Sequence, residues 1–519
     1  MTEKTNIKSY FLNLVSSFGG TAISIIIGFI SIPISLNYWQ TEKYGLWALI
    51  ISVSVYLSLS NLGLNAAATI LMTKNPNVAS KLKILKKTFN ILIISVIVFF
   101  IAFLLLNVYS KNWIMFLGKI PENSKNETFS TCLILGVFFF INLPFSLISS
   151  GFQAFQKIYI ENVFAIFLTV FNFFNLLLVI FLKGNLVTYA IIYGTGTLLF
   201  NIIKASYFYF YIYKKVKKEN KVLNKQDFES YETSYKNIFN TGIRYFLIVT
   251  ASMIVVNTDY LVISNFLGVE KVTSYSVTLK FYQLINSLIL LTTSSLLPIM
   301  AKELGNNNWN WINNVYERML IIMSFVGGLI WIGGVLFIKD IIFLWTGKIG
   351  YAGIITVFFL GGYSYLLSMV NLNAGIMTSF NYLKPIYGWF EAGLKLGLSI
   401  LLLRYFDVGG VALGTFLGSL LTGTWLGPLL IVKLSNKRIH YNLSVVVKQF
   451  FFIILPLLFI SVLVQLFVTL FVLRLAIGGL IIIIYCFLSY NNMAQEIKTL
   501  FISKLIQIKS LRELVKLPL

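Results

Sequence analysis

Two cysteines and a single histidine in 519 residues leave little room for metal or redox chemistry. Cys132 and Cys486 both lie inside apolar runs and read as small core residues, so neither a disulfide framework nor a cysteine metal site can be assembled. His440 stands alone in a basic loop, which excludes a histidine zinc site. No GxxxxGK[ST] loop occurs, so the chain carries no ATPase of that kind. Acids are scarce: 18 against 41 lysines and arginines, with charged residues only 11% of the chain. A soluble domain carries about 25%, and no long stretch here is polar enough to form one.

What is present is apolar. Hydrophobic residues make up 58% of the chain, and the mean hydropathy is +0.83. The apolar runs are mostly long enough to cross a bilayer as helices, which takes about 20 residues. A β-barrel would show shorter, alternating segments. The fold class is therefore an all-α polytopic membrane protein. A net charge of +23 raises nucleic acid as a partner. The basic residues, however, sit in short loops between apolar runs, as topology determinants facing an anionic leaflet do, so no nucleic acid is expected.

The runs predict about 14 transmembrane helices: 1 (10–36), 2 (44–71), 3 (85–108), 4 (129–151), 5 (158–182) and 6 (186–212). A basic linker follows, with seven lysines between Lys214 and Lys236. Helices 7 and 8 fill Phe239 to Leu304 around a turn at Gly268–Val272. Helices 9 (313–338), 10 (351–379), 11 (385–404), 12 (409–432), 13 (446–471) and 14 (475–492) complete the set. The first run is too long for a signal-peptide core and lacks a cleavage site, so it is expected to be retained. The tail alternates apolar and basic residues and reads as an amphipathic helix on the membrane surface. Basic residues on the side of the termini outnumber those opposite by more than two to one, which predicts both termini in the cytoplasm.

The linker splits the first twelve helices into two sets of six. Asn37, Glu42 and Lys43 in the turn after helix 1 match Asn265, Glu270 and Lys271 after helix 7 at one constant offset. Six is even, so the halves keep the same orientation, as in a parallel transporter repeat with its site between the halves. The expected organisation is an N-terminal six-helix lobe (1–212), a basic cytoplasmic linker (213–237), a C-terminal six-helix lobe (238–435), two additional helices (436–492) and the tail (493–519).

Charges within the spans mark the candidate site, because each costs at least ~2.5–3.5 kcal/mol unless it meets protein or water. Asp259 and Lys280 lie at similar depth on either side of the helix 7–8 turn. They can lock the two helices together as an ion pair, or hold a ligand. Lys395 stands one turn after Glu391 in helix 11, a spacing that allows a same-helix pair or leaves Lys395 free to anchor an anion. Arg244, near the cytoplasmic end of helix 7, can fork onto phosphate or snorkel to the headgroups. Lys204 is expected to snorkel, and Lys157 to pair with Glu161 at the interface. Asn61 and Asn257 are neutral groups that can bind sugar hydroxyls or bond between helices.

Three segments resemble a known family. YGLWALIISVSVYLSLSNLGLNAAA is similar to the helix 2 signature of polysaccharide-type flippases. NTDYLVISNFLGVEKVTSYSV is similar to their helix 7 to helix 8 signature, and Gly151-Phe152-Gln153-Ala154 resembles the turn after their fourth helix. The family is the oligosaccharide-lipid flippases of the Wzx O-antigen type, in the superfamily shared with MATE exporters and lipid II flippases. The resemblance implies a non-enzyme of the bacterial inner membrane that flips a polyprenyl-diphosphate-linked oligosaccharide between leaflets by alternating access. Arg244, Lys280 and Lys395 would neutralise the diphosphate. It implies membrane lipids, a polymerase and a chain-length regulator as partners. No cofactor is implied, and proton or sodium coupling is left open. Asn61 stands where the signature commonly has an aspartate, which argues against a cation or proton site there. A MATE-like exporter of small organic cations and a glycan polymerase or ligase are the alternatives. The first should prefer acids in its cavity, and the second needs a large external loop that the chain lacks.

Overall fold

A computed structural model describes residues 3–75, 77–109, 111–219, 234–380, 386–440 and 443–492. Most of the basic linker and the whole expected amphipathic tail lie outside them. The described residues form helices and turns, with no strand among them. By length and composition, 11 helices can cross a membrane, and the first, Val15–Asn61, contains a reversal.

Counted by passes, the helices are α1 (3–39), α2 (41–74), α3 (Val78–Tyr109), α4 (Glu122–Ala154), α5 (Ile158–Phe181), α6 (Leu186–Glu219) and α7 (Tyr235–Leu267). Then come α8 (Val269–Gly305), α9 (Trp309–Thr346), α10 (Ile354–Ser379), α11 (Ile386–Phe406), α12 (Val408–Leu434), α13 (443–467) and α14 (Phe471–Asn492). Several run past their apolar cores. α3 takes up part of the lysine-rich loop, and α4 and α6 extend into polar sequence, because a helix end in the headgroup zone can be polar and still satisfy its backbone.

The expected loops at 37–43 and 268–272 collapse to one residue each. The chain reverses at Gln40, with φ 56°, and at Gly268, with φ 95°. These two residues stand at the same offset as the three matched pairs around them. α5 and α6 likewise reverse near Lys183, and α11 and α12 near Asp407, with φ 52° and 54°.

α2 is broken within the membrane. A 3-10 turn at Ser58–Asn61 leads to left-handed Leu62 and Gly63 before the helix resumes at Leu64. A break in hydrocarbon requires local partners. Leu62 N–H donates to the Leu59 carbonyl, Asn65 N–H to Asn61 Oδ1, and Ser95 Oγ to the Ser60 carbonyl. Gly63 is required because its α-carbon lies against the Gly242 carbonyl of α7, and any Cβ would clash there. α12 breaks at Thr422, and α13 has a π-turn at Phe450–Ile454 just before Pro456.

α1 packs on α5, α4 on α6 and α2 on α3 and α4; α8 packs on α10, α11 on α7, and α12 on α10 and α11. The hairpin α13–α14 lies on α9. Apolar side chains such as Phe181, Phe452 and Phe467 stand on the outer surface, as lipid contact requires.

The two bundles meet closely on the side of the Gln40 and Gly268 reversals, here the hairpin side. Thr273 Oγ1 donates to the Thr41 carbonyl at 2.6 Å, Ser264 Oγ to the Leu117 carbonyl at 2.6 Å, and Lys119 N–H to the Ser264 carbonyl at 3.0 Å. Along the α2–α7 edge the contact continues toward the opposite side, through Tyr56–Thr258 at 2.9 Å and Gly63–Gly242.

Candidate functional site

Helix 1 carries a stripe of small residues: Ser17, Thr21, Ser24, Gly28, Ser31 and Ser35, spaced alternately by four and three. That spacing puts all six on one helical face. The face borders two cavities between the bundles. One, about 550 Å³, lies among α1, α2, α5, α6, α7 and α8, nearer the hairpin side. The other, about 510 Å³, lies among α1, α5 and α8, nearer the N-terminal end of α1. Ser24, Lys280, Gln283 and Leu284 line both, so these residues form the neck between them.

Lys280 is exposed to this space and makes no ion pair or hydrogen bond among the described residues. It is not the partner of Asp259. Asp259 is buried and takes Lys395 instead, with Nζ 3.1 Å from Oδ1 and 3.1 Å from Oδ2. Tyr275 donates its hydroxyl to Asp259 Oδ2 at 2.6 Å, and Thr415 donates to the same oxygen at 3.2 Å. Two expectations are thereby corrected. Asp259 does not pair with Lys280, and Lys395 is neither bound to Glu391 nor free for an anion. Position along the spans did not decide the pairing: the rotation of α8 turns Lys280 toward the bundle interface while α11 turns Lys395 toward α7.

Glu391 is buried, and its Oε2 lies 3.3 Å from where a Cβ on Gly423 would stand. Gly423 opens the second segment of α12, where unpaired N–H groups and the helix dipole favour a carboxylate. Arg244 is exposed on α7 and borders neither cavity. Asn61 caps the restart of α2 through Asn65 and likewise borders neither. Asn257 does line the larger cavity, while bonding to the Met253 carbonyl at 3.4 Å. Lys204 turns inward to Glu161 at 3.2 Å rather than snorkelling, with Ser149 donating to the same carboxylate oxygen at 2.7 Å. Lys157 lies over the Tyr159 ring instead.

The closed end of the larger cavity is aromatic. Trp47 and Tyr189 line it with ring centroids 4.6 Å apart, backed by Trp39 at 5.1 Å from Tyr189. Hydroxyls and amides from Ser24, Ser31, Ser52, Asn172, Ser276 and Gln283 supply the polar lining. No carboxylate lines either cavity among the described residues. The arrangement suits binding: one cation for an anion, hydroxyls and amides for hydroxyls, rings for apolar faces. Charge within the spans led to Lys280 but not to this neutral lining. The helix 1 stripe was the signal that could have found it.

The architecture is an all-helical, multi-pass membrane fold of two bundles. It superposes on the lipid II flippase MurJ in its inward closed conformation with a TM-score of 0.67, at 16% identity over 92% of this chain and 99% of that one. An outward-facing MATE family multidrug resistance transporter of the MOP superfamily matches with a TM-score of 0.56, at 14% identity over 83% and 96%. Residues 12–303 match the polysaccharide biosynthesis protein family, and the chain belongs to it. A putative O-antigen transporter of Salmonella typhimurium is 28% identical over 215 residues, which is 40% of this chain and 49% of that protein. Another, of Salmonella typhi, is 22% identical over 357 residues, 65% and 75% respectively. The chain thus spans about half the length of the first relative and three quarters of the second.

Proposed function

We propose that this protein is a flippase carrying a polyprenyl-diphosphate-linked oligosaccharide, the repeat unit of O-antigen or a related surface polysaccharide, from the cytoplasmic to the outer leaflet of a bacterial inner membrane. The observation that carries the reading is the unpaired Lys280 ammonium at the neck between two hydroxyl-lined cavities. A sugar diphosphate needs a positive group for its phosphates and neutral hydrogen-bonding walls for its sugar. The polyprenyl chain needs neither and stays in lipid. The names of the two Salmonella relatives and the family support the same cargo.

The lysine bias puts both termini in the cytoplasm. The hairpin side is then external and closed, and alternating access would be a rocking of lobe 1–212 against lobe 238–435, with 213–237 as linker. The protein is a carrier rather than an enzyme, and the polymerase and chain-length regulator of the glycan pathway are its expected partners. Export of small organic cations uses the same fold, but Lys280 repels a cation and no described carboxylate in the cavities offsets it.

The test is complementation of a deletion strain with Lys280→Ala and Lys280→Arg, measuring lipid-linked oligosaccharide on the inner leaflet and polysaccharide at the surface. Lys280→Ala should accumulate the lipid-linked sugar and Lys280→Arg should restore most export. Normal surface polysaccharide from a normally inserted Lys280→Ala protein overturns the assignment.

A further inference from the structure

Asp259 is a carboxylate buried in the second bundle whose charge is met by the chain itself. The Asp259 and Lys395 side chains are 4% and 3% exposed. Lys395 Nζ is equidistant from the two carboxylate oxygens at 3.1 Å, and Tyr275 and Thr415 complete the shell. Four helices, α7, α8, α11 and α12, converge on this one group. Beside it is a cavity of about 60 Å³, which Asn286 and Gln283 also line. Gln283 borders the neck as well, so the pair lies one residue behind the proposed substrate space.

An ionised carboxylate in such a place needs a cation, or it takes up a proton. Without the lysine, the oxygens of Asp259, Tyr275 and Thr415 would be a hard donor set of the kind that holds an inorganic cation. Lys395 supplies that cation covalently. The nearest other charge on its helix, Glu391, attracts Lys395 without forming an ion pair with it, and its Oε2 lies beside Gly423 at the start of the second α12 segment. Lys280 faces the cavities and makes no contact with the carboxylate.

We infer that Lys395 is a tethered counter-ion occupying what would otherwise be an exchangeable cation site at Asp259, so that this bundle is held together with no inorganic cation bound there. The inference concerns a site separate from the substrate cavities and does not depend on the cargo proposed above. If it holds, no sodium ion exchanges at Asp259 during transport.

The test uses the purified full-length protein in detergent. Its unfolding temperature is followed in sodium, potassium and choline chloride at equal ionic strength. Wild type and Lys395→Arg should unfold at the same temperature in all three salts. Lys395→Ala should be several degrees less stable in choline and recover part of that loss in sodium. The double variant Asp259→Asn, Lys395→Ala should lose the recovery. Sodium-specific stabilisation of wild type that Asp259→Asn abolishes overturns the inference, as does a folded Lys395→Ala protein indifferent to all three salts. Should Lys395→Ala not fold, the wild-type and Lys395→Arg arms decide alone: a flat response supports the tethered counter-ion, and a sodium response refutes it.

Discussion

Trp345 of α9 lies flat on Phe29 of α1, with ring centroids 4.4 Å apart and planes 5° from parallel, and its indole N–H donates to the Phe29 carbonyl at 2.6 Å. The contact joins the two bundles. The stack and the bond together contribute about 1–3 kcal/mol. Trp345→Ala should therefore loosen the hairpin-side closure by roughly ten-fold in equilibrium constant. In a background with Cys132 and Cys486 replaced, Ser35→Cys should react several-fold faster with an impermeant maleimide added outside when Trp345 is Ala. Equal rates would show that the stack does not hold the closure.

Two positive-φ glycines separate strain from packing. A Cβ on Gly268 meets nothing within 4 Å, whereas one on Gly63 collides with the Gly242 carbonyl. Gly268→Ala should cost only the backbone strain of φ 95° and ψ 165°, a region nearly confined to glycine, about 1–3 kcal/mol. Gly63→Ala adds displacement of α2 from α7 and should unfold at a clearly lower temperature. A comparable loss in both variants would mean that the α2–α7 contact contributes little.

Arg474 falls between the expected helices 13 and 14, yet it is only 5% exposed. Its Nη1 reaches both Asp340 oxygens at 3.0 and 2.9 Å and Gln465 at 3.3 Å, while Nε and Nη2 donate to the Val468 and Thr469 carbonyls. It thereby ties the turn before α14 to α9. Arg474→Gln or Asp340→Asn alone should cost about 3–5 kcal/mol, and replacing both by apolar residues should recover much of it. A double-mutant cycle by thermal unfolding checks this, and additive losses would remove the coupling.

The helix 1 stripe predicts an effect on transport without an effect on folding. Ser24 stands at the neck. Ser24→Trp should block surface polysaccharide export while leaving the unfolding temperature nearly unchanged. Arg244→Gln, away from both cavities, should reduce export far less than Lys280→Ala. Full export by Ser24→Trp would place the path elsewhere.

Much of the fold was readable because its causes are local. Apolar run length gave the spans, and the matched residues around Gln40 and Gly268 gave the repeat, but the tightening of each expected loop to a reversal at one residue was not legible. Helix ends were less legible. The polar turns at 78–84 and 122–128 are helical because the headgroup zone tolerates them. The break at Gly63 answers to a carbonyl on α7 that is distant in sequence.

The sequence by itself determined that this is an all-helical membrane protein and which charges fall within its apolar spans, since both are read by counting residues along a run. Only the tertiary structure decided that Asp259 takes Lys395 across α7 and α11, that Lys280 is left unpaired at the neck, and that Arg474 is buried. Each residue turns a helix by 100°, and the direction a side chain finally faces depends on how that helix is rotated against neighbours hundreds of residues away. No single span carries that information.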